Sequence, residues 1–333
     1  MRVLVVRLGA FGDIVHTLPL AADLRAAGWE VEWVCEDRWA CLVEGAASRI
    51  HRLPRRLLRD RTLPWCERLS QLTGFVRDLR CGHEVVIDAQ GLAKSALVAI
   101  AAGAQRVIGH GQGRSREGAW LAAHTTVNPV HVHVIDQQRR LAMPLTGREP
   151  QGPWRFPLPA WREERTWAAA WLAEHGVEHP WVLNVGAGWP TKVWPAERQA
   201  ACVARLRERG EAVVLAWGNP GERAAAAAVA AQVSGARVAP DTSIPQLAGL
   251  LANARVVISG DTGPLHLAHA LGTPCVGLFG PVPAERNGPR GPHGRTLQAP
   301  GAAWERHDVS RVDMGAINVD QVLAAAAAAI SGA

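Results

Sequence analysis

The stretch WVLNVGAGWPTK (residues 181–192) decides the fold class, because an apolar run of strand length passes directly into a loop with two glycines and a lysine. A helical pattern follows at 196–209, so this part of the chain is predicted to be a strand, a loop and a helix. The same order recurs in both halves of the chain. Such alternation is typical of parallel sheets covered by helices on both faces.

The remaining elements continue this alternation. The first half predicts strands at 3–6, 31–35, 84–88 and 107–108, and helices at 14–27, 64–80 and 94–102. The second half predicts strands at 181–185, 212–216, 256–259 and 275–279, and helices at 196–209, 222–233, 244–254 and 265–271. A last, alanine-rich helix is expected at 319–330.

A chain of 333 residues is long enough for two domains of ordinary size. The segment 147–159 contains four prolines and is the best candidate for a linker. We therefore expect two Rossmann-like, doubly wound α/β domains at 1–155 and 156–318, with the helix in 319–333 packed on a domain surface. Ligands of doubly wound sheets bind beyond the carboxyl ends of the strands, so two such domains are expected to face each other across a cleft that holds the site.

Composition narrows the class of partner. The chain is 48% hydrophobic and carries a formal net charge of +6, which favours a soluble protein with an anionic partner. A nucleic acid, a phosphorylated substrate and an anionic membrane face all fit this charge. The six cysteines form no C-x-x-C pair, which favours reduced thiols in the cytosol and no metal site. No stretch approaches the roughly 20 apolar residues of a membrane helix, and the apolar run at 3–6 is too short for a signal peptide.

Lysine is rare in this chain. Only Lys94 and Lys192 occur among 36 basic residues, and each lies in a short polar motif that resembles a loop. An ammonium group is a compact charge with three rotatable donors, which a planar guanidinium cannot replace. Lys192 follows a predicted strand in a glycine-containing loop, and this position indicates a bound phosphate. Chance is the alternative, because two residues are a small sample.

The stretch SGDTGPLH (residues 259–266) is the most specific motif. A strand ends here, Gly and Thr turn the chain, and a helix begins near a proline. The backbone N–H groups of such a turn form an anion site. Asp261 can instead cap the helix, and His266 can be a core-facing helical residue. His266 and His269 have a spacing that metal ligands use, but no third ligand is evident in the sequence.

The first predicted strand runs into RLGAFGD (residues 7–13). Gly12 permits close approach of a backbone or a substrate, and Asp13 is the first ionisable group after it. Asp13 can act as a base, or it can cap the following helix, where its anion would be favoured. The motif is not G-x-G-x-x-G, which weakens a nicotinamide site. Glu36 and Asp37 lie where a ribose-binding acid is expected, so that alternative stays open.

Other loops that follow predicted strands also carry polar residues. Glu222 can accept both hydroxyls of a ribose or cap a helix, and Gln90 and Lys94 are expected to face the cleft. Five arginines crowd ten residues, which suggests recognition of phosphates or carboxylates: Arg52, Arg55, Arg56, Arg59 and Arg61. Few aromatic residues separate them, so single-stranded nucleic acid is a poor fit and no nucleic-acid partner is expected. The chain has no D-x-D motif, with which many glycosyltransferases bind a metal.

Together these motifs resemble the bacterial lipopolysaccharide heptosyltransferases, a GT-B family, over essentially the whole chain. The motifs that carry the resemblance are Gly12-Asp13, VIDAQG (86–91) with Lys94, TK-x-WP (191–195), DTG (261–263) with His266, and FGP (279–281) with RNGP (286–289). The IDAQG stretch is most similar to heptosyltransferase I. Members of the family often carry hydroxyl residues shortly before the lysine, where this chain has Ala187 and Gly188.

The resemblance implies an inverting transfer of heptose from ADP-L-glycero-β-D-manno-heptose to the Kdo sugar of Kdo₂-lipid A, without a cofactor or an essential divalent metal. It assigns Asp13 as the general base and Lys192 as the group that stabilises the departing ADP. Donor binding is assigned to Thr191, Glu222, Thr242, Asp261, Thr262, Gly263 and His266. Acceptor binding is assigned to Gly12, Arg55, Arg56, Arg59, Arg61, Gln90 and Lys94.

The resemblance also implies a location and leaves alternatives. The N-terminal domain would bind the acceptor and the C-terminal domain the nucleotide sugar, on the anionic cytoplasmic face of the inner membrane. Heptosyltransferase II, which acts on an already heptosylated inner core, is a related alternative. A nicotinamide-dependent oxidoreductase is an alternative from another class.

Overall fold

The computed structural model describes residues 1–54, 60, 62, 64–302 and 309–332. The chain divides into two compact units, Met1–Ala160 and Trp161–Ala333. The division falls within a few residues of the predicted boundary, just after the proline-rich segment. Among the described residues, no helix has both the length and the apolar character needed to cross a membrane.

The first unit is a six-stranded parallel sheet with helices. Its strands are β1 (Arg2–Val6), β2 (Glu30–Glu36), β3 (Arg49–Leu53), β4 (Val85–Asp88), β5 (Arg106–His110) and β6 (Thr125–Val127). Its helices are α1 (Phe11–Ala26), α2 (Trp65–Leu79), α3 (Ala93–Ala101), α4 (Val134–Arg139) and α5 (Met143–Thr146). The strand order is β3-β2-β1-β4-β5-β6, and every neighbouring pair is parallel.

The second unit repeats this plan. Its strands are β7 (Trp181–Asn184), β8 (Val213–Ala216), β9 (Arg237–Val238), β10 (Val256–Gly260), β11 (Cys275–Phe279) and β12 (Gly294–Gln298). Its helices are α6 (Arg162–Glu174), α7 (Ala196–Glu208), α8 (Pro220–Gln232), α9 (Ile244–Ala252), α10 (Gly263–Ala270), α11 (Ala284–Asn287) and α12 (Val319–Ser331). The order is β12-β11-β10-β7-β8-β9, again all parallel.

Central strands are buried on both faces, which explains their continuous apolar runs. In the first unit, Leu4 and Val6 of β1 share one core with Phe75 of α2 and Ala99 of α3. In the second unit, one core joins the strands to α7, α8 and α12, while α10 contacts β10 and β11 outside that cluster. The C-terminal helix α12 therefore belongs to the second unit, where it packs beside β10, β11 and β12.

The predicted fold class is confirmed, because each unit is a doubly wound α/β sheet. Each predicted strand is present, with ends shifted by one or two residues. The prediction missed the four edge strands (β3, β6, β9 and β12), the helix α6, which packs on α9, and the short helices α4, α5 and α11.

Candidate active site

The strand order of each sheet reverses at one point. In the first sheet the reversal lies between β1 and β4, and in the second it lies between β7 and β10. Loops that leave such neighbouring strands in opposite directions open a crevice at the carboxyl edge, where doubly wound proteins bind ligands. In the second unit these loops carry Lys192 and Asp261, and in the first unit they carry Asp13 and Gln90. These four sequence-predicted residues therefore lie in the segments that follow the switch-point strands, whereas Glu222 and Thr242 follow β8 and β9.

The loop after β7 packs against the end of β10. Residues Pro190–Lys192 form a single 3₁₀ turn. A Cβ atom at position 260 would lie 2.9 Å from the carbonyl oxygen of Lys192, so Gly260 permits this close approach. Farther along, the Trp194 indole donates to the Ile317 carbonyl at 2.9 Å, and the Gln199 amide donates to the Trp194 carbonyl at 2.7 Å. These contacts fix the backbone at Lys192 and on its carboxyl-terminal side.

Lys192 forms a buried ion pair. Its Nζ lies 2.5 Å from Asp261 Oδ2 and also donates to the Asp261 carbonyl at 3.2 Å. The ammonium lies 4.4 Å from the centroid of the Trp189 ring, within the range of a cation–π contact. Only 12% of the Lys192 side chain is exposed. The positive charge is therefore held at a defined point beside the switch-point crevice.

Asp261 is the centre of this network. Its Oδ1 lies 3.2 Å from His266 Nε2 and accepts a hydrogen bond from the Asn287 amide. Burial acts to raise the pKa of Asp261, but the hydrogen bond and charge of His266, together with Lys192, outweigh it and lower the pKa to about 2. Asp261 is thus an anion at neutral pH. It is not the cap of α10, because Thr262 occupies that position.

A second polar group organises the start of α10. The Asn184 amide, at the end of β7, donates to Ser259 Oγ at 3.1 Å and to Thr262 Oγ1 at 3.3 Å. Thr262 precedes Gly263, the first residue of the helix. The first N–H groups of a helix point outward and favour an anion. Thr191 is buried in the neighbouring loop. Asn184 was missed in the sequence, because its role depends on the pairing of β7 with β10.

Glu222 lies over the carboxyl end of β7. Its carboxylate accepts from the Gly218 N–H at 2.7 Å. A Cβ atom at position 186 would lie 2.0 Å from Glu222 Cδ, so only a glycine at this position leaves room for the carboxylate. Asn219 caps α8 by accepting from the Glu222 N–H at 3.0 Å, which excludes the alternative that Glu222 is the cap. Thr242 follows β9, farther along the same edge of the sheet.

Asp13 belongs to the first turn of α1 and is paired with a buried arginine. Arg7 Nη2 lies 2.7 Å from Asp13 Oδ2, and Arg7 Nη1 donates to the Ala89 carbonyl at 2.7 Å. The Arg7 side chain is 6% exposed, whereas that of Asp13 is 47% exposed. The N-cap residue is Ala10, and Asp13, at the third helical position, accepts from the Ala10 N–H at 3.4 Å and so contributes to the capping of the helix. Arg7 is a partner that sequence reasoning missed. Gly12 directly precedes Asp13 in the same turn.

The loop after β4 has a structural role that the sequence did not show. Gln90 Oε1 accepts from the Leu8 N–H at 2.9 Å, which ties this loop to the end of β1. Asp88 accepts from the Gln90 and Gly91 N–H groups, each at 3.0 Å. Burial raises the pKa of Asp88 despite these hydrogen bonds. Gly91 has a φ of +70°, which favours glycine there.

The remaining predicted acceptor residues are Lys94 and four arginines of the arginine-rich segment. Lys94 is at the start of α3, half-exposed, with its Nζ 3.7 Å from Glu36 Oε1. Four arginines of the predicted anion-binding segment lie outside the described residues: Arg55, Arg56, Arg59 and Arg61.

The two edges offer complementary chemistry. The second unit presents an ammonium group and a helix N-terminus, which together suit a pyrophosphate. A carboxylate next to them, that of Glu222, is suited to a diol. The first unit presents a half-exposed carboxylate held by a buried guanidinium, which suits a base that acts on a hydroxyl group.

Two Rossmann-like units with such switch-point loops define a nucleotide-sugar glycosyltransferase of the GT-B class. Residues 73–314 match glycosyltransferase family 9 (heptosyltransferase), and the chain belongs to this family. It is 32% identical over 289 residues to lipopolysaccharide heptosyltransferase 1 of Pseudomonas aeruginosa, a match that covers 85% of this chain and 79% of that protein. It is 27% identical over 318 residues to lipopolysaccharide heptosyltransferase 1 of Escherichia coli K12, covering 90% and 94%.

Solved structures agree with this assignment. The E. coli heptosyltransferase WaaC with ADP-2-deoxy-2-fluoro heptose superposes with a TM-score of 0.77 at 26% identity, covering 97% of this chain and 98% of that one. E. coli ADP-heptose lipopolysaccharide heptosyltransferase II has a TM-score of 0.71 at 21% identity, with 99% of each chain covered, and shares the fold. The protein is therefore a glycosyltransferase, and the nicotinamide-dependent alternative is set aside.

Proposed function

We propose that the protein transfers L-glycero-D-manno-heptose from ADP-heptose to the Kdo of Kdo₂-lipid A, with inversion at the anomeric carbon. The observation that carries the proposal is the similarity to lipopolysaccharide heptosyltransferase 1, which spans both units. The related structure with ADP-2-deoxy-2-fluoro heptose supports the choice of donor. The buried Lys192–Asp261 pair at a switch point supplies a matching site for a pyrophosphate.

The donor is proposed to bind along the carboxyl edge of the second sheet. The pyrophosphate would lie at the start of α10, near Thr262, Gly263 and His266, with Thr191 in the adjoining loop. Glu222 would accept from the two ribose hydroxyls, and Thr242 would lie near the adenine. The edge order β10, β7, β8, β9 supports this arrangement, because it sets these loops in one row in the order that the donor requires.

Lys192 is proposed to stabilise the leaving group. An ammonium group has three N–H donors, and Asp261 accepts two of them through its carboxylate and its carbonyl oxygen. One donor is then left for a phosphate oxygen. Negative charge grows on the ADP as the glycosidic bond breaks, so this contact strengthens in the transition state. Asp261 is in this proposal a positioning residue that holds the ammonium group in place and directs its remaining donor.

Asp13 is proposed to be the general base. It would take the proton of the Kdo hydroxyl while that oxygen forms a bond to the anomeric carbon and the bond to ADP breaks. Attack from the face opposite the ADP inverts the configuration. Arg7 holds the Asp13 carboxylate through one oxygen and keeps its orientation fixed. The proposed base belongs to the first unit and the leaving-group lysine to the second.

Acceptor binding is proposed for Gly12, Gln90, Lys94 and the arginine-rich segment, since Kdo carries carboxylates. Gln90 would act mainly by holding the end of β1, to which its side chain is bonded. No cofactor and no divalent ion are proposed for the transfer, because Lys192 and the α10 N-terminus supply the positive charge that the pyrophosphate requires.

An anionic membrane surface is the proposed location of the acceptor. One face of α2 carries Trp65, Leu69 and Leu72 at helical spacing, and these side chains are 76%, 51% and 47% exposed. The arginine-rich segment directly precedes this helix in the sequence. Exposed apolar side chains next to clustered cations match a surface that inserts among anionic headgroups.

The decisive experiment is incubation of the purified chain with ADP-heptose and deacylated Kdo₂-lipid A, with the product mass as the readout. One added heptose supports the proposal. A parallel reaction with a heptosylated acceptor separates the two heptosyltransferase specificities, because only the true acceptor gains mass. Failure of both acceptors with ADP-heptose, while another nucleotide sugar is consumed, would overturn the proposed substrate.

A further inference from the structure

A buried cluster of metal-type ligands lies away from the site described above. Glu32 of β2, His51 of β3 and His83, just before β4, are all buried, and one ligand atom from each lies within 4.8 Å of the others. Glu32 pairs with Leu4 and Arg49 in the strand register, and His83 precedes its strand. The cluster therefore lies toward the amino-terminal edge of the first sheet, whereas Asp13 follows the carboxyl end of β1.

The three ligand atoms converge on one carboxylate oxygen. His51 Nε2 lies 2.7 Å from Glu32 Oε2, and His83 Nε2 lies 3.0 Å from the same atom. The other ring nitrogen of His51, Nδ1, lies 2.7 Å from Asp78 Oδ2. Neither histidine ring is exposed, and the Glu32 side chain is 3% exposed. The cluster is thus closed to bulk water.

This geometry requires a cation that a neutral histidine cannot supply. A neutral imidazole carries a proton on one ring nitrogen only, yet both nitrogens of His51 face carboxylate oxygens. Either a second proton or a metal ion must lie between the ring and one carboxylate. His83 Nε2 faces the same accepting oxygen and therefore carries a proton when no metal is bound, whereas His83 Nδ1 has no hydrogen-bond partner among the described residues. A metal ion between His83 and Glu32 would take the place of this proton.

The ligand types and their supports match zinc. Two imidazole nitrogens and one carboxylate oxygen are common zinc ligands, with bonds of about 2.0–2.1 Å. Such bonds separate neighbouring ligands by roughly 3.3 Å in a tetrahedron, only a few tenths of an ångström more than the observed contacts. The bond from His51 Nδ1 to Asp78 is the outer carboxylate–histidine contact that orients ligands of zinc.

The surrounding charges balance an ion only in part. Glu32 and Asp78 supply carboxylates. Burial acts to raise the pKa of Glu32, but the hydrogen bonds from His51 and His83 lower it overall. Arg2 opposes a cation, with its Nη1 3.6 Å from Glu32 Oε1, and Arg49 pairs with Asp78. Both guanidinium groups are partly exposed, so solvent screens their repulsion.

We propose that Glu32, His51 and His83 form a structural zinc site that ties β2 and β3 to the segment before β4. The ion replaces a proton of the cluster and leaves the transfer reaction to the groups at the carboxyl edges. This proposal stands independently of the assignment of donor and acceptor.

The test uses the untagged full chain after removal of metal by a chelator and dialysis. Titration with zinc chloride, followed by calorimetry and elemental analysis, is expected to show one equivalent per chain and a rise in Tm. H83Q and E32Q are expected to lose this equivalent. H131Q is the matched control, because His131 is an exposed histidine in the same unit, and it is expected to retain zinc binding.

A second measurement uses only the wild-type chain, so it tests the proposal even if the variants do not fold. Cobalt(II) bound to the wild-type chain is expected to give the intense visible absorption of a low-coordinate nitrogen–oxygen site, whereas surface binding gives the weak absorption of a six-coordinate ion. Absence of a zinc equivalent in the wild-type chain, a six-coordinate cobalt spectrum, or retention of the ion by folded H83Q and E32Q would each overturn the proposal. Continued heptose transfer by the metal-free chain would leave it intact.

Discussion

Asp261 shows how a single buried carboxylate couples stability to the candidate site. Its pKa in the folded chain is about 2, below the ordinary value of 3.8. A group with a lowered folded pKa stabilises the protein above its unfolded pKa, and this contribution is lost as pH falls through the folded value. The window for Asp261 therefore runs from about pH 4 down to about pH 2. A shift of this size corresponds to about 2 kcal/mol.

The first prediction concerns D261N. At pH 6 this variant is expected to be less stable than the wild type by about 2–4 kcal/mol, because it leaves the buried Lys192 charge without its partner. The difference in the free energy of unfolding between the two proteins is expected to narrow by about 1 kcal/mol at pH 3, because the unfolded wild-type chain is then partly protonated at Asp261. Urea unfolding at pH 6 and pH 3 measures this difference. D37N, at an exposed aspartate, provides the control, and a gap that stays constant with pH would contradict the assignment.

The second prediction concerns D13N, which removes the proposed base but keeps the size of the side chain. We expect kcat to fall by about 10²–10⁴-fold, the usual contribution of a general base. ADP binding is expected to stay unchanged, since the donor loops lie in the other unit. Steady-state kinetics and calorimetric titration with ADP measure the two effects. D37N again serves as control, and turnover by D13N at the wild-type rate would remove Asp13 from the mechanism.

At the scale of elements, two glycines of the loop after β7 offer a matched pair of changes. A Cβ atom at position 186 would overlap the Glu222 carboxylate, whereas one at position 188 would meet nothing within 4 Å. G186A is therefore expected to displace Glu222 and to weaken ADP binding by about 10–100-fold, the loss of a charged hydrogen bond. G188A is expected to bind ADP nearly as the wild type does.

Calorimetric titration of the two variants with ADP tests this third prediction. The Glu222 carboxylate is the flexible end of a side chain, so G186A should fold and keep its Tm within a few degrees. E222Q gives the reference for loss of the carboxylate charge. Equal affinities of G186A and G188A for ADP would show that the position of Glu222 does not matter for the nucleotide.

The central strands were predictable and the edge strands were not, for one physical reason. Central strands are covered on both faces and flanked by other strands, so they carry continuous apolar runs such as 256–258. The edge strands are either more polar or very short: β3 reads RIHRL and β12 reads GRTLQ, whereas β6 has three residues and β9 has two. Their identity as strands comes from pairing with a neighbour, which sequence periodicity does not contain.

The residues of the candidate site also separate into those that the sequence indicates and those that only the fold brings together. Lys192, Asp261 and Asp13 could be singled out as candidates from the sequence because each lies in the segment that follows a predicted strand, where parallel sheets place ligand loops. Their partners Arg7 and Asn287 were missed, since each contact joins separate segments of the chain. The Glu32–His51–His83 cluster was missed as well, because it depends on the register of β2 and β3 and has no characteristic spacing in the sequence.

At the scale of the whole molecule, charge and apolar exposure act together on one unit. The net charge of +6 draws the chain toward an anionic surface, and this attraction weakens within a Debye length of about 8 Å at physiological salt. Charge alone gives reversible, salt-sensitive association with the membrane. The exposed face of α2 adds a hydrophobic contribution to the binding free energy, which salt does not screen because it depends on the apolar area of the buried Trp and Leu side chains.

The fourth prediction follows from these two terms. The wild-type chain is expected to sediment with vesicles of phosphatidylglycerol and phosphatidylethanolamine, and less with neutral phosphatidylcholine vesicles. The double variant W65S/L69S is expected to bind anionic vesicles about 10–100-fold more weakly, because two apolar side chains no longer enter the headgroup region. V130S is the matched control, since Val130 is 67% exposed on a loop that follows β6.

Salt separates the electrostatic and apolar contributions. Raising sodium chloride from about 0.1 M to about 1 M shortens the Debye length from about 10 Å to about 3 Å, so the cationic term should largely vanish. Residual wild-type binding at high salt is then expected to require Trp65 and Leu69. If W65S/L69S and the wild type sediment equally at both salt concentrations, the α2 face does not contact the bilayer. In that case the arginine-rich segment would be left as the membrane-binding element.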